Sequence, residues 1–232
     1  MLAMSQFLKV ISASPEANKA IIMLPDIWSL TDYAATTAQA LSRRYQQPCY
    51  TLDYFYQLNN KANNFDPQTD QAEAVGLMAK LTGEDFIEIF ESALEEIQKA
   101  QPQLVELTVL GFCFGGRLAY LSGLSKKITK IISFYGAGAH TTGYYQGHTP
   151  IGALSMARGG DTSLRVLSFY GSEDASIPEP DRAKTALELQ NAPITYTPKQ
   201  YPAGHAYFQE GRDGFDRQAS EQSWQDLDAF LT

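Results

Sequence analysis

Four residues of this 232-residue chain have types and settings that could do chemistry: Asp26, Cys113, Asp174 and His205. Cys113 lies in Gly111-Phe112-Cys113-Phe114-Gly115-Gly116, a G-x-C-x-G-G pattern in which an apolar run ends and a helical pattern begins. This is the layout of a nucleophile elbow, with Cys in place of Ser. Small neighbours let strand and helix approach, and the central side chain stands at a helix start, where backbone N–H groups favour negative charge. Asp174 closes Gly171-Ser172-Glu173-Asp174, and His205 follows Pro202-Ala203-Gly204. A thiol nucleophile needs a base to draw its proton, and that base needs an acid to orient it. Each residue alone has a plainer reading. A lone Cys in an apolar strand is core packing, an Asp after Gly-Ser is turn chemistry, and a His after Gly is a solvated loop residue. Three residues in complementary roles, each directly after a predicted strand, favour the joint reading over the separate ones.

The elements that must position them follow from hydrophobic runs. Residues 20–24 form a short continuous apolar run, the mark of a strand buried on both faces; 48–52, 105–110, 128–135 and 164–170 read the same way. Residues 7–11 predict an edge strand, and so do residues 194–201, which Pro198 interrupts. Helical patterns run from Thr31-Asp32 to about Tyr45, from Thr82 through residues 86–97, from 114 to 124, from 178 to 189 and from 220 to 231. Residues 56–81 read as a loop and short-helix excursion near the site mouth, and 139–162 as a long loop. Strands alternating with helices predict an α/β chain with a mostly parallel central sheet covered on both faces. Ligands on such sheets gather at the C-terminal strand ends, where all four residues fall. The order nucleophile, acid, histidine is that of the α/β-hydrolase fold, and residues 1–232 are expected to form a single domain of it.

Composition narrows the function class. A net charge of −8, with no Lys/Arg cluster longer than two, argues against nucleic-acid binding. Two cysteines make no disulfide framework, and Cys49 reads as core. Residues 1–19 lack a signal-peptide pattern, and no apolar run approaches membrane-spanning length. The expectation is a cytoplasmic chain with no membrane partner, in a reducing setting that suits a catalytic thiol. His140 and His148 share a loop without nearby ligands at metal-binding spacing, and Gly136-Ala137-Gly138 lacks the third glycine of a nucleotide loop. No metal and no cofactor are expected.

Three segments, Gly-Phe-Cys-Phe-Gly-Gly-Arg, Tyr170-Gly171-Ser172-Glu173-Asp174 and Ala203-Gly204-His205-Ala206-Tyr207, together resemble the dienelactone hydrolase (carboxymethylenebutenolidase-like) family. Pro25-Asp26-Ile27-Trp28 and Leu52-Asp53-Tyr54-Phe55 resemble that family's first two strand ends, so the resemblance covers nearly the whole chain. It implies hydrolysis of a carboxylic ester or lactone through a cysteine acyl-enzyme, with Cys113, His205 and Asp174 as triad. It also implies an oxyanion hole of the Ile27 and Phe114 backbone N–H groups, and an acid, Asp26, coupled to the nucleophile's protonation.

The departures bear on substrate. Where the resemblance implies an arginine four residues after the histidine, this chain has Gln209, with Arg212 further on; residues 59–80 contain no arginine. Trp28, Tyr135 and Tyr207, with Tyr144 and Tyr145, are the expected pocket walls, which suits a neutral or aromatic small-molecule ester or lactone. The chain is expected to act as a monomer or homodimer. The competing readings are a non-catalytic ligand-binding or thiol redox-sensing relative of the same fold, and an acyltransferase.

Overall fold

The computed structural model describes residues 5–11, 16–158 and 163–232. Seven strands form one sheet in the order β1-β3-β2-β4-β5-β6-β7. They are β1 (Leu8–Ile11), β2 (Lys19–Leu24), β3 (Cys49–Leu52), β4 (Glu106–Phe112), β5 (Ile128–Phe134), β6 (Arg165–Gly171) and β7 (Thr195–Tyr201). All neighbouring pairs are parallel except β1 with β3, where Leu8 faces Leu52 and Ile11 faces Cys49. The central strands are mostly apolar because each buries both faces.

Helices cover both sides, as the alternation of strands and helices predicts. On one face Ile22, Leu24, Val109 and Ile131 pack with α4 (Gly83–Ala100), α5 (Phe114–Ser122) and α6 (Pro150–Ala157). On the other, Ile21, Met23, Leu110, Ile132 and Phe169 pack with α1 (Asp32–Tyr45) and α8 (Arg217–Leu231). The period-2 alternation within β2 divides the two cores. In α4, Phe86, Ile89, Phe90, Ala93, Leu94 and Ile97 form the buried stripe, and each large side chain there stabilises by about 1.5–3 kcal/mol. A capping box starts that helix: Asp85 N–H donates to Thr82 Oγ1 at 3.1 Å and Thr82 N–H to Asp85 Oδ2 at 3.0 Å.

The structure sharpens the short-helix excursion expected at 56–81 and departs from the sequence expectations in two other places. The excursion after β3 holds two helices, α2 (Tyr56–Asn59) and the ten-residue α3 (Gln71–Lys80). The expected long loop at 139–162 contains α6, with Thr149 capping it and Pro150 at its first turn; residues 159–162 lie outside the described ones. Pro198 does not break β7, because β7 is a sheet edge and one missing N–H on the outer side is tolerated. The remaining helix, α7 (Glu179–Asn191), begins at the expected proline, Pro178. Among the described residues no helix is long and apolar enough to cross a membrane.

Candidate active site

The elbow is built at the end of β4. Cys113 has φ 53° and ψ −115°, a region that non-glycine residues avoid unless the surroundings enforce it. They do: Cys113 N–H donates to Phe134 O at 3.0 Å, and Cys113 O accepts the first helical bond of α5 from Arg117 N–H at 3.1 Å. Gly115 is required by close approach. A Cβ there would lie 2.2 Å from Pro25 O and 2.3 Å from Leu24 O, so only glycine lets the elbow helix seat against the end of β2. That contact brings the 25–30 loop alongside Cys113. Phe114 is the first residue of α5, so its N–H has no acceptor within the helix.

The acid and the histidine come from the ends of β6 and β7. Ser172 N–H donates to Tyr201 O at 2.8 Å and Glu173 N–H to Ala203 O at 3.0 Å, which ties the two strand-end loops together. Gly171 permits this approach, since a Cβ on it would meet Ala203 O at 2.1 Å. Asp174 is buried, whereas the neighbouring Glu173 is exposed. Asp174 Oδ1 accepts from Ser176 N–H at 2.8 Å, leaving Oδ2 2.7 Å from His205 Nδ1. His205 Nε2 lies 3.1 Å from Cys113 Sγ. The three residues picked out in sequence therefore form one continuous chain of contacts. Burial works against charge on His205, but its hydrogen bonds to Asp174 and Cys113 outweigh that and raise its pKa to about 10.

Asp26 sits beside this chain but is occupied elsewhere. Its Oδ1 accepts from Trp28 N–H at 3.0 Å, and its Oδ2 accepts from Arg212 Nη2 at 2.6 Å. Burial pushes the Asp26 pKa up, opposed mainly by the Arg212 charge and the bond from Trp28, with a smaller contribution from His205. Gln209 is itself part of this arrangement, with Oε1 3.3 Å from Arg212 Nε, and the guanidinium stacks 5.3 Å from the Tyr33 ring. Position 209 therefore holds the arginine rather than replacing it. Arg212, noted in sequence only as lying further on, reaches Asp26 across a segment in which Ala206 (φ 60°) and Gly211 (φ 91°) turn the chain.

Two expected pocket walls are corrected. Tyr135 and Tyr207 are fully buried. Tyr135 packs edge-on beneath His205 with ring centroids 5.1 Å apart, and the Tyr207 hydroxyl lies 3.1 Å from Ser223 Oγ on α8. Both are core because aromatic rings at strand ends complete the interior under the loops. Trp28, Tyr144 and Tyr145 are partly exposed and pack at the core's margin. The structure also places Tyr54 at the site: its hydroxyl lies 2.8 Å from Pro25 O and 2.7 Å from Asp26 O, beneath the 25–30 loop. His140 stands away from Cys113, with Nε2 2.9 Å from Thr185 Oγ1.

With this geometry in hand, comparison with known proteins settles kinship. The model of the family described as "Dienelactone hydrolase family" matches residues 8–232. The chain belongs to the dienelactone hydrolase family. Among curated relatives of the family, a candidate carboxymethylenebutenolidase from Synechocystis sp. is 30% identical over 121 residues, 52% of this chain and 47% of that protein. A candidate carboxymethylenebutenolidase from Saccharolobus solfataricus is 27% identical over 169 residues, 69% of this chain and 56% of that protein. The chain spans about half the length of the curated relatives it matches. Among solved structures, a candidate dienelactone hydrolase from Klebsiella pneumoniae superposes with a TM-score of 0.76 at 19% identity, covering 91% of this chain and 85% of the other. A dienelactone hydrolase-like promiscuous phosphotriesterase from metagenomic libraries gives 0.70 at 17% identity, covering 97% and 96%. At these identities the likeness establishes the fold: the dienelactone hydrolase, α/β-hydrolase-like arrangement of a mostly parallel sheet with helices.

Proposed function

We propose that this chain is a cofactor-free hydrolase of carboxylic esters or lactones that works through a cysteine acyl-enzyme. The observation that carries the proposal is the contact chain Cys113 Sγ to His205 Nε2, 3.1 Å, and His205 Nδ1 to Asp174 Oδ2, 2.7 Å, at an elbow on a strand end. The Cys113–His205 pair shares the thiol proton, which rests on His205 Nε2 as the Cys113 sulfur attacks the ester carbonyl. The C=O electron pair moves to oxygen, which the N–H groups of Ile27 and Phe114 receive. Collapse of the tetrahedral species breaks the bond to the leaving oxygen, and His205 Nε2 protonates it. Water then attacks the thioester with His205 as base, releasing the acid and the Cys113 thiol. Asp174 holds the imidazole orientation and stabilises its charged form throughout.

Asp26 serves as the acid that modulates the nucleophile pair. Its negative charge favours the imidazolium of His205, and Arg212 sets how much of that charge is felt. Arg212 also gives the site rim a cation that position 209 alone does not suggest.

Hydrolysis of short 4-nitrophenyl esters by wild type and Cys113→Ala tests the reading. A thioester adduct on Cys113, detected by mass spectrometry, and loss of hydrolysis in the variant are expected; equal rates in the two proteins would refute it. The same experiment separates the alternatives. Reversible oxidation of Cys113 by peroxide without any acyl adduct favours a redox sensor, and transfer of the acyl group to added amines in preference to water favours an acyltransferase.

A further inference from the structure

Asp53 follows β3, has no solvent exposure, and makes no ion pair among the described residues. Its carboxylate instead gathers donors from two separate loops. Oδ1 accepts from Ser29 Oγ at 3.0 Å and from Phe55 N–H at 3.1 Å; Oδ2 accepts from Asn63 N–H at 2.7 Å and from Asn63 Nδ2 at 3.0 Å. Every partner is a donor, which suits a group whose two oxygens both accept; an amide would turn an NH2 toward some of them.

Ser29 belongs to the loop that carries Ile27. It has φ 61°, a conformation that persists only when its surroundings enforce it. The loop is also laced to the 63–65 segment: Leu30 N–H donates to Asn63 O at 3.1 Å, Phe65 N–H donates to Trp28 O at 3.0 Å, and Ser29 bridges Asn64. Among the described residues, Asp53 is the side chain that grips both segments of this lacing, through Ser29 and through Asn63. Tyr54, the next residue, holds Pro25 O and Asp26 O. The end of β3 therefore fixes the path of residues 25–30, and its Tyr54 and Phe55 rings also pack against Phe114 of the elbow, with centroids 5.7 and 6.1 Å apart.

We propose that Asp53 is a positioning residue that sets the Ile27 N–H against Cys113 by fixing the 25–30 loop through Ser29 and Asn63. The inference rests on the oxyanion role assigned to Ile27 above. A loop-borne donor is useful only when it is pre-set, because a displacement of about 1 Å at a reacting centre costs about 100-fold. A carboxylate with four donors and no solvent holds a strained loop more rigidly than loop backbone alone.

The test compares two probes on wild type, Asp53→Asn and Ser29→Ala. Trifluoroacetophenone adds reversibly to the Cys113 thiolate: a C–S bond forms and the carbonyl electron pair becomes an oxyanion, so its affinity reads the oxyanion hole. Iodoacetamide alkylates the same sulfur and expels iodide without forming an oxyanion, so its rate reads the nucleophile alone. The expected result is ketone affinity and ester kcat falling together by about 10- to 100-fold, with KM and the alkylation rate near wild type. Ser29→Ala leaves the other Asp53 donors in place, so it gives a readable variant if Asp53→Asn does not fold. Wild-type ketone affinity in both variants overturns the proposal, as does a parallel fall in ketone affinity and alkylation rate, which marks general loosening of the elbow. If wild type neither binds the ketone nor cleaves esters, the functional reading fails on its own. Amide hydrogen exchange at Ile27 and Trp28 then decides the positioning role: faster exchange in the variants supports it, and unchanged protection overturns it.

Discussion

Arg212 Nη2 donates to Asp26 Oδ2 at 2.6 Å, joining a residue from the loop after β2 to one that lies beyond β7. Both side chains are largely buried, with 10% exposure for Asp26 and 18% for Arg212. Breaking such a pair from one side leaves the other charge stranded.

Arg212→Met should therefore shift how stability depends on pH. In wild type the Asp26 pKa is already raised above 3.8 by burial, with Arg212 the main opposing cause. Without Arg212 it rises further. Above 3.8 the unfolded chain releases the Asp26 proton while the folded chain keeps it, so stability declines with rising pH until the folded pKa is passed. The variant should lose about 1–3 kcal/mol relative to wild type near pH 7 and less near pH 4. Melting temperatures of the two proteins across that range check this; parallel curves would show that Arg212 does not govern Asp26.

His205 has the same sign of slope, displaced to higher pH. Its folded pKa of about 10 exceeds the ordinary histidine value of 6.5. The stability it contributes is complete below 6.5 and is lost as pH rises through about 10, because the unfolded imidazole gives up its proton first. NMR of the His205 ring should show a midpoint near 10 in wild type, moving down in Asp174→Asn and in Cys113→Ala. A midpoint that ignores both substitutions would separate His205 from its two neighbours.

Gly115→Ala tests the fit between elbow and β2. The new Cβ would meet two backbone oxygens, Leu24 O and Pro25 O, at 2.3 and 2.2 Å, and neither is the end of a flexible side chain. Overpacking of this kind costs about 1–3 kcal/mol, seen as a lower urea midpoint. Because the strain falls between Cys113 and the 25–30 loop, ester hydrolysis should drop at temperatures where the variant is still fully folded.

Arg158→Met should destabilise without involving the site. This arginine is fully buried, with Nε donating to Gly123 O at 2.6 Å and Nη2 to Ser125 O at 2.6 Å and Ile128 O at 2.8 Å. Methionine fills the space and leaves those carbonyls without their donor, at a cost of about 3 kcal/mol or more. Urea denaturation measures the loss, and kcat on a short ester should stay at the wild-type value.

Cys113, Asp174 and His205 were legible in sequence because each lies just past a predicted strand, and a strand end fixes where a side chain stands. The strands were legible from their hydrophobic patterns, although β4 runs two residues past its expected end to include Gly111 and Phe112. Helix α6 was missed because it is short and nearly uniformly apolar, with no polar face to give a period; Thr149-Pro150 was the signal available. Arg212 and Arg158 were opaque for a different reason. What they touch depends on loop paths and helix ends brought together by the whole fold, and no local pattern in the sequence encodes such meetings. The roles of Tyr135 and Tyr207 failed on geometry, since a strand-end aromatic reads the same whether its ring faces solvent or the interior.

The reacting groups hang from β2, β4, β6 and β7, whereas the walls around them come from the segments between β3 and α4 and between β5 and α6. The two segments differ in what they also hold: 56–81 carries Asn63 and Phe65, which pin the 25–30 loop, whereas 139–149 bonds to the start of α4 through Tyr144 O and Gly83 N–H. Exchanging the 139–149 segment for one of another length should change what fits the opening while the thiol, imidazole and carboxylate keep their register, so this frame is suited to retargeting by grafting there.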